Sequence, residues 1–498
     1  MLSQLLDTNS NNNAYAQSYA QSDLIGTTSG NNAPNTDIFY LTTGYTIEPV
    51  VWNLTFPDSV TFDDTGNMYI GEAGYPFVNT PLVPRILKME PNGNLSVFLD
   101  TKLNSPIVDI VFHNDLLYVS HRDKISTVDI TNGTVKDIIV GLPNNGDHPN
   151  TQIAFSPDGK RLFVGTGTST NSGIVGLDNT FYGWVSNTPS IADIPGKNIT
   201  LTGQNLETTN PLTAEPNDNA TTGAFVPFNT TTKEGQIIKG NVKCNGCILS
   251  ANLDGTDVKL EGWGFRNPTG LAFNEEGRLF TAVNGADERG SRPIVFDADK
   301  LFEVKLNSTS WYGWPDFFGN AQPVTDSEFQ WHNDIICLIP NTCLDKPLQF
   351  LMQNHPPVEK PLALFYPPHT AVIQMAFANE SFGFSGEAFV AQVGAHGVEG
   401  VGQNVVHVNI DNKTISNFLD LKNPIQANHT IFRPTDVAFN QNGTALYLVD
   451  WGNLLEPGTG ENIPMTGVVW KIIPVTGNQT VGSTIMSTTT STKGSTVQ

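Results

Sequence analysis

A six-bladed all-β propeller is the fold class that this 498-residue chain predicts, and three observations predict it. One phrase recurs six times: an aliphatic residue, a small or neutral residue, then Phe, followed by a turn and a second apolar run. Gly (45) and Pro (32) are plentiful, as a fold with many tight turns requires. Hydrophobic residues make up 39% of the chain, ample for a large core. Yet no run of about 18 apolar residues occurs, so no helix of this chain is expected to span a membrane.

The six instances are Val60-Thr61-Phe62, Ile110-Val111-Phe112, Ile153-Ala154-Phe155, Leu271-Ala272-Phe273, Met375-Ala376-Phe377 and Val437-Ala438-Phe439. Phe155 leads through Ser156-Pro157-Asp158-Gly159 to Leu162-Phe163-Val164. Phe273 leads through Asn274-Glu275-Glu276-Gly277 to Leu279-Phe280-Thr281. Phe439 leads through Asn440-Gln441-Asn442-Gly443 to Leu446-Tyr447-Leu448. Such turns between β-rich runs are hairpin signals. One hairpin cannot bury its apolar face alone, whereas six units stacked radially can, and they leave little exposed edge. The phenylalanines are spaced 50, 43, 118, 104 and 62 residues apart. A blade takes about 40–50 residues, so the excess predicts long insertions after the third and fourth repeats. They fall at residues 168–235, rich in Asn, Thr and Pro, and at 312–368, with Pro clusters and a cysteine pair. Long loops on a rigid scaffold tend to carry function. The expected organisation is a propeller over residues 37–476, between a disordered segment 1–36 and a Ser/Thr-rich disordered tail 477–498.

Acidic residues outnumber basic ones 48 to 26, for a net charge of -22. Nucleic-acid binding, which needs a basic footprint, is therefore not expected. Ala14-Tyr15-Ala16 and Ser18-Tyr19-Ala20 look like small-residue cleavage sites, which predicts the remnant of an export signal; an ordinary tail is the alternative. Twelve Asn-x-Ser/Thr sequons agree with an exported, extracellular or cell-envelope glycoprotein. The four cysteines form two close pairs, Cys244/Cys247 and Cys337/Cys343. Outside the cytosol these predict disulfides, with a zinc site or free thiols as the alternative.

Residues just ahead of each repeat enter the innermost strand, near the central axis. The third blade has Asp147-His148 there, the fourth Arg266-Asn267-Pro268, the fifth His369 and the sixth Arg433. Equivalent strands bring these side chains to one mouth of the channel. Two Arg and two His gathered in an acidic protein predict an anion site, or a polar-ligand site with acid/base help. A carboxylate beside an imidazole can raise its basicity and orient it, as Asp147 would His148; adjacent strand residues point to opposite faces, and an ordinary turn, Asn144-Asn145-Gly146-Asp147, is the alternative. The Asn284-Gly285-Ala286-Asp287-Glu288-Arg289-Gly290 stretch, then Asp297 and Asp299, combine a turn, carbonyls and carboxylates that suit Ca²⁺, although the spacing fits no EF-hand.

These residues together resemble the glucose/sorbosone dehydrogenase family. The resemblance lies in Gly264-Phe265-Arg266-Asn267-Pro268-Thr269-Gly270-Leu271-Ala272-Phe273, in Asn284 to Gly290, and in Tyr312-Gly313-Trp314-Pro315. Asp147-His148, and Pro357 to Leu362 leading to His369, match too, over about residues 45–475. It implies a six-bladed propeller using pyrroloquinoline quinone (PQQ) and Ca²⁺ to oxidise a small sugar, with an external electron acceptor. His148 then resembles the general base that takes the proton from the anomeric hydroxyl, tuned by Asp147. Arg266 and Asn267 match the pair that polarises the quinone oxygens. Arg433 resembles an arginine on a cofactor carboxylate, and His369 stands beside the cofactor. Gly285 and Ala286 fall where carbonyls hold calcium, with Asp299 and Tyr312 completing the set. The chain departs from the glucose-oxidising branch at three places: Ile431 stands where a second arginine is expected, Ala391 to His396 lacks a lysine, and no glutamine lies near Ser105-Pro106. These departures point to the sorbosone-type branch.

The leading expectation is thus an exported quinoprotein dehydrogenase acting on an aldose or related sugar. A non-catalytic propeller that binds glycans or an envelope partner, and a calcium-dependent lactone hydrolase, are the competing readings.

Overall fold

The computed structural model describes residues 25–27, 33–74 and 83–475, apart from 144, 214, 216, 333, 395–399, 423–431, 453, 456–460 and 463. The expected export-signal remnant, Ile431, His396 and the tail after 476 lie outside the described residues.

The described chain is a six-bladed β-propeller. Its innermost strands are Pro57–Phe62, Ile107–His113, Asn150–Phe155, Asn267–Phe273, Val372–Phe377 and Pro434–Phe439. Each ends on one of the six recurring phrases or runs one residue past it, and each pairs antiparallel with the next strand outward. Neighbouring innermost strands pack in turn around a closed ring. Chain ends close the last blades. The sixth runs Pro434–Phe439, Leu446–Asp450, Gly467–Pro474 and then the N-terminal strand Tyr45–Leu54. Gly26–Thr27 adds a short strand outside that, within the segment expected to be disordered. Phe39–Leu41 extends the fifth blade. Closure by both ends leaves fewer unpaired edges.

The repeated Phe packs across a blade boundary. Phe273 meets Phe163 of the third blade at 5.1 Å between ring centroids, and Phe377 meets Phe280 of the fourth at 5.4 Å. Phe439 meets Phe389 of the fifth at 5.8 Å, Phe62 meets Tyr447 of the sixth at 4.6 Å, and Phe155 meets Tyr118 of the second at 5.0 Å. Aromatic pairs at such distances contribute about 0.5–1.5 kcal/mol each beyond their buried area.

A second set of inter-blade bonds sits one residue ahead of the aliphatic position. Ser59 Oγ accepts the Ile110 N–H (3.1 Å), and Asp109 Oδ2 accepts the Ile153 N–H (2.7 Å). Gln152 Oε1 accepts the Leu271 N–H (2.7 Å), and Asp436 Oδ2 accepts the Val60 N–H (2.9 Å). The fourth blade has Gly270 here, because a Cβ would lie 2.5 Å from the Ile373 carbonyl. Gln152 reaches past it to the Met375 N–H as well (3.1 Å). Gln374 crosses the axis to donate to the Asp58 and Val108 carbonyls (3.2 and 2.9 Å). Gln152 and Gln374 therefore bridge the blades inside the ring of innermost strands.

The two insertions fall as the spacing predicts. Residues 167–246 separate the second and third strands of the third blade, and 305–362 separate the third and fourth strands of the fourth. They pack on each other in one apolar cluster with the third blade's core. Cys244–Cys247 and Cys337–Cys343 are disulfide-bonded, as expected.

Removing the Asp109 carboxylate leaves the buried Ile153 N–H without an acceptor and the Ser59 hydroxyl with only the Ile110 carbonyl at 3.4 Å, so Asp109→Ala should cost about 1–3 kcal/mol in denaturant unfolding. Burial pushes the Asp109 carboxyl up to about 7, against Ile153, Ser59 and Ile110 hydrogen bonds that lower it. The folded protein then holds a proton that the unfolded chain has released, so stability from this residue falls as pH rises from about 4 to about 7. The difference in unfolding free energy between wild type and Asp109→Asn should follow that slope; a difference flat across this range contradicts it.

Candidate active site

The residues that enter the innermost strands come together at one end of the axis. Arg266 and Arg433 immediately precede Asn267–Phe273 and Pro434–Phe439; His148 and His369 lie just ahead of Asn150–Phe155 and Val372–Phe377. Gly167, at the end of the third blade's second strand, passes between His148 and Asn267. A Cβ there would sit 2.2 Å from His148 Cβ and 2.7 Å from Asn267 Oδ1, so glycine is required.

His148 Nδ1 lies 3.0 Å from the Thr168 carbonyl. A carbonyl only accepts, so Nδ1 carries the hydrogen and Nε2 keeps its lone pair. Burial pushes the imidazole well below its usual range, and the Arg266 and Arg289 cations push it further, outweighing Asp287. The ring is therefore neutral at pH 7 and presents a basic nitrogen. Asp147 does not orient it. The Asp147 carboxylate receives Arg289 Nη2 at 2.7 Å and Asn179 Nδ2 at 3.1 Å. Asp147 lies in a bend ahead of the strand, and the Thr168 carbonyl takes the role expected of Asp147.

Asn267 is set by a chain of amides. The Val372 carbonyl takes Asn284 Nδ2 (2.7 Å), which turns Asn284 Oδ1 to Asn267 Nδ2 (2.8 Å). Asn267 Oδ1 is left buried with no partner among the described residues. Arg266 donates from Nη2 to Asp287 Oδ2 (2.7 Å) and Asn171 Oδ1 (3.0 Å), and from Nε to the Asn171 carbonyl (3.2 Å).

The other charges form a network around Asp287 and Arg289. Arg289 pairs with Asp147, with Asp178 (2.6 Å) and with Asp287 (3.0 Å). Burial would lower the Arg289 guanidinium, but those three carboxylates hold it well above its usual range. Burial would raise the Asp287 carboxyl, yet Arg266, Arg289 and His369 hold it far below. His369 Nε2 meets Glu288 at 2.9 Å; burial alone would lower this imidazole, and Glu288 with Asp287 raises it. The expected anion site is thus largely neutralised from within, because a buried charge without a partner is expensive. Arg433 is the exception. Of the described, fully buried arginines 85, 266, 289, 292 and 433, it alone makes no ion pair. Its Nη1 donates to the Val393 and Gly394 carbonyls (2.8 and 2.9 Å), and its Nε has no partner among the described residues. Burial pulls it down to about 10, which still leaves it cationic.

Two of the expected calcium ligands, Asp299 and Tyr312, are engaged elsewhere. Asp299 accepts the Gly285 N–H (2.7 Å), the Thr370 hydroxyl (2.7 Å) and the Val372 N–H (3.1 Å), so its oxygens are occupied. The Ala286 N–H goes to Asp297. Tyr312 stacks on Phe265 at 4.0 Å, and its hydroxyl accepts from Lys305 N–H (2.9 Å), away from the mouth. Among the described residues no group of three or more His, Cys, Asp or Glu could hold a metal ion.

Both insertions build this mouth. Thr168, Asn171 and Asp178 come from the first, and Arg292 ties it to the second. Arg292 donates to the Ser172 and Pro315 carbonyls (2.9 and 2.7 Å) and to Asp316 (2.9 Å). Asn171, Asp178 and the pairing role of Arg289 are not evident from the sequence motifs. The polar run Thr168 to Ser172, directly after a strand, is their signal.

Arg289 holds the buried carboxylates of Asp147 and Asp178 and the partly exposed one of Asp287, so Arg289→Ala should destabilise the protein by about 3–5 kcal/mol. Denaturant unfolding checks this; a loss below about 1 kcal/mol, the worth of an exposed pair, contradicts the buried network.

No protein-family model matches this chain, and no curated protein sequence matches it. Solved structures do share its fold. The holo pyranose dehydrogenase PQQ domain from Coprinopsis cinerea is 17% identical, with a TM-score of 0.55 over 89% of this chain and 99% of that one. The Carbohydrate-Active Enzymes Family AA12 protein of Trichoderma reesei is similar in an iodide structure and a calcium structure. The first is 16% identical, with a TM-score of 0.54 over 90% and 100% of the two chains; the second is 16% identical, with 0.53 over 89% and 100%. The six-bladed fold is therefore one that this chain shares with a PQQ-holding pyranose dehydrogenase domain.

Proposed function

We propose that this chain is an exported sugar oxidoreductase in which hydride passes from an aldose or related sugar to PQQ and its electrons then pass to an external acceptor. The observation that carries the reading is His148: a neutral imidazole, anchored through Nδ1, with Nε2 open beside Arg266 and Asn267. The residues fit the cofactor at two points. PQQ is a planar tricarboxylate with a ring N–H; the unpaired Arg433 suits a carboxylate, and the orphaned Asn267 Oδ1 suits an N–H or a sugar hydroxyl. When bound, PQQ supplies the two-electron acceptor.

The chain's own residues do the rest. His148 Nε2 takes the proton of the hydroxyl on the carbon that loses hydride. Thr168 holds the ring in the tautomer that permits this. Arg266, fixed by Asn171 and Asp287, sets positive charge at the mouth that would stabilise negative charge developing on a bound quinone. The paired charges of Asp147, Asp178, Asp287 and Arg289 hold these groups without leaving a free anion at the mouth. The two disulfides and the sequons support export. Of the expected calcium ligands, Asp299 and Tyr312 are engaged elsewhere, which leaves the Gly285 and Ala286 carbonyls for that role; no observation favours the lactone hydrolase. The internal pairing of Arg266 and Arg289 favours one second reading, a glycan-binding propeller without turnover.

Titration of purified protein with PQQ, followed by aldoses and a redox dye, separates the two. Saturable quinone absorbance that sugars bleach is expected; no saturable binding leaves the glycan-binding reading. Arg433→Ala should weaken PQQ binding by about 10- to 100-fold, since a charge-assisted contact contributes about 1.5–3 kcal/mol. His148→Ala should keep binding and lose about 10²–10⁴ in kcat. Loss of turnover in His369→Ala with His148→Ala intact would contradict the base assignment. Because the His148 imidazole is held below its ordinary range, the base form persists as pH falls, and the acid limb of kcat/KM should lie below pH 6.5.

A further inference from the structure

The fourth blade's third strand, Asp299–Val304, carries a buried lysine. Lys300 is 7% exposed, and its Nζ donates to Asp297 Oδ1 at 2.6 Å and to the Ala298 carbonyl at 2.9 Å. Asp297 is itself buried and collects backbone from two other places. Its Oδ1 accepts the Gly319 N–H of the second insertion (2.7 Å), and its Oδ2 accepts the Ala286 N–H (2.7 Å). One ammonium and one carboxylate thus join the turn after the second strand, the approach to the third strand, and the insertion. Gathering a carboxylate and a carbonyl oxygen around a positive centre is what the sequence assigns to a divalent ion at this segment.

A calcium ion takes six to eight oxygens, several of them anionic. Asp297 and Asp299 already accept from N–H, O–H and ammonium donors, and a second cation at Asp297 is repelled by Lys300 Nζ. We propose that Lys300 is the resident cation of this segment in place of a divalent metal. The fold of residues 284–300, and with it the Asp287–Arg289 corner of the mouth, then does not depend on calcium. The inference uses neither PQQ nor sugar, so it stands or falls apart from the enzymatic reading.

The test is the melting temperature of the full chain, without PQQ, in EGTA and in millimolar CaCl₂. Wild type should melt at the same temperature in both. Lys300→Gln should melt lower than wild type in EGTA, because Asp297 and Ala298 O lose their cation. A wild-type Tm that falls in EGTA and recovers in calcium, with the recovery abolished by Asp297→Asn, overturns the proposal. So does a Lys300→Gln protein with an unchanged Tm. If Lys300→Gln does not fold, the wild-type comparison decides alone.

Discussion

Everything at the mouth depends on how the innermost strands are held to one another. A hydrogen-bonded sheet fixes strands within a blade but not one blade against the next. Here side-chain acceptors on the inner strands reach across: Ser59, Asp109, Gln152 and Asp436 each accept a backbone N–H of the following blade. Aromatic pairs built on the repeated Phe make the same crossing farther out. Packing alone would tolerate sliding; directed bonds do not. The strand starts that carry His148, Arg266, His369 and Arg433 are therefore held in one register.

The mouth then uses charge for position more than for attraction. Arg289, with three carboxylates, holds loops from the first insertion against the fourth blade. Arg266 is fixed by Asn171 and Asp287. The result is an internally paired wall around one neutral imidazole and an arginine, Arg433, that makes no ion pair among the described residues. Those two groups have opposite needs: a base is useful only when unprotonated, and an anion-binding group only when charged. Burial with cationic neighbours keeps His148 neutral, while the high intrinsic pKa of a guanidinium keeps Arg433 charged.

Much of the fold was legible because the repeat encodes it. Each aliphatic–small–Phe phrase marks an inner strand, and the gaps between them locate both insertions. The inter-blade acceptors lay in the same phrase, one residue earlier, yet Ser, Asp, Gln and Gly share no side-chain type, so no pattern announced them. Site legibility stopped at the strand starts. Asp147 beside His148 read as a pair, but Asp147 lies in a bend ahead of the strand and goes to Arg289, 142 residues away. Asp297 and Asp299 read as calcium ligands; in the fold Asp297 also takes the ammonium of Lys300, and Asp299 takes the Gly285 and Val372 N–H groups and the Thr370 hydroxyl. Contacts of that kind arise from loops crossing between blades, and local spacing does not carry them.

The central claim is that His148 serves as the base while a C–H bond of the sugar gives up hydride at this mouth. Single-turnover reduction of PQQ-loaded protein by an aldose deuterated at the reacting carbon tests it most directly. The account predicts bleaching of the quinone that is slowed by a primary isotope effect in wild type and lost in His148→Ala while PQQ stays bound. Bleaching at the same rate in wild type and His148→Ala, or none in wild type with PQQ bound, would contradict it.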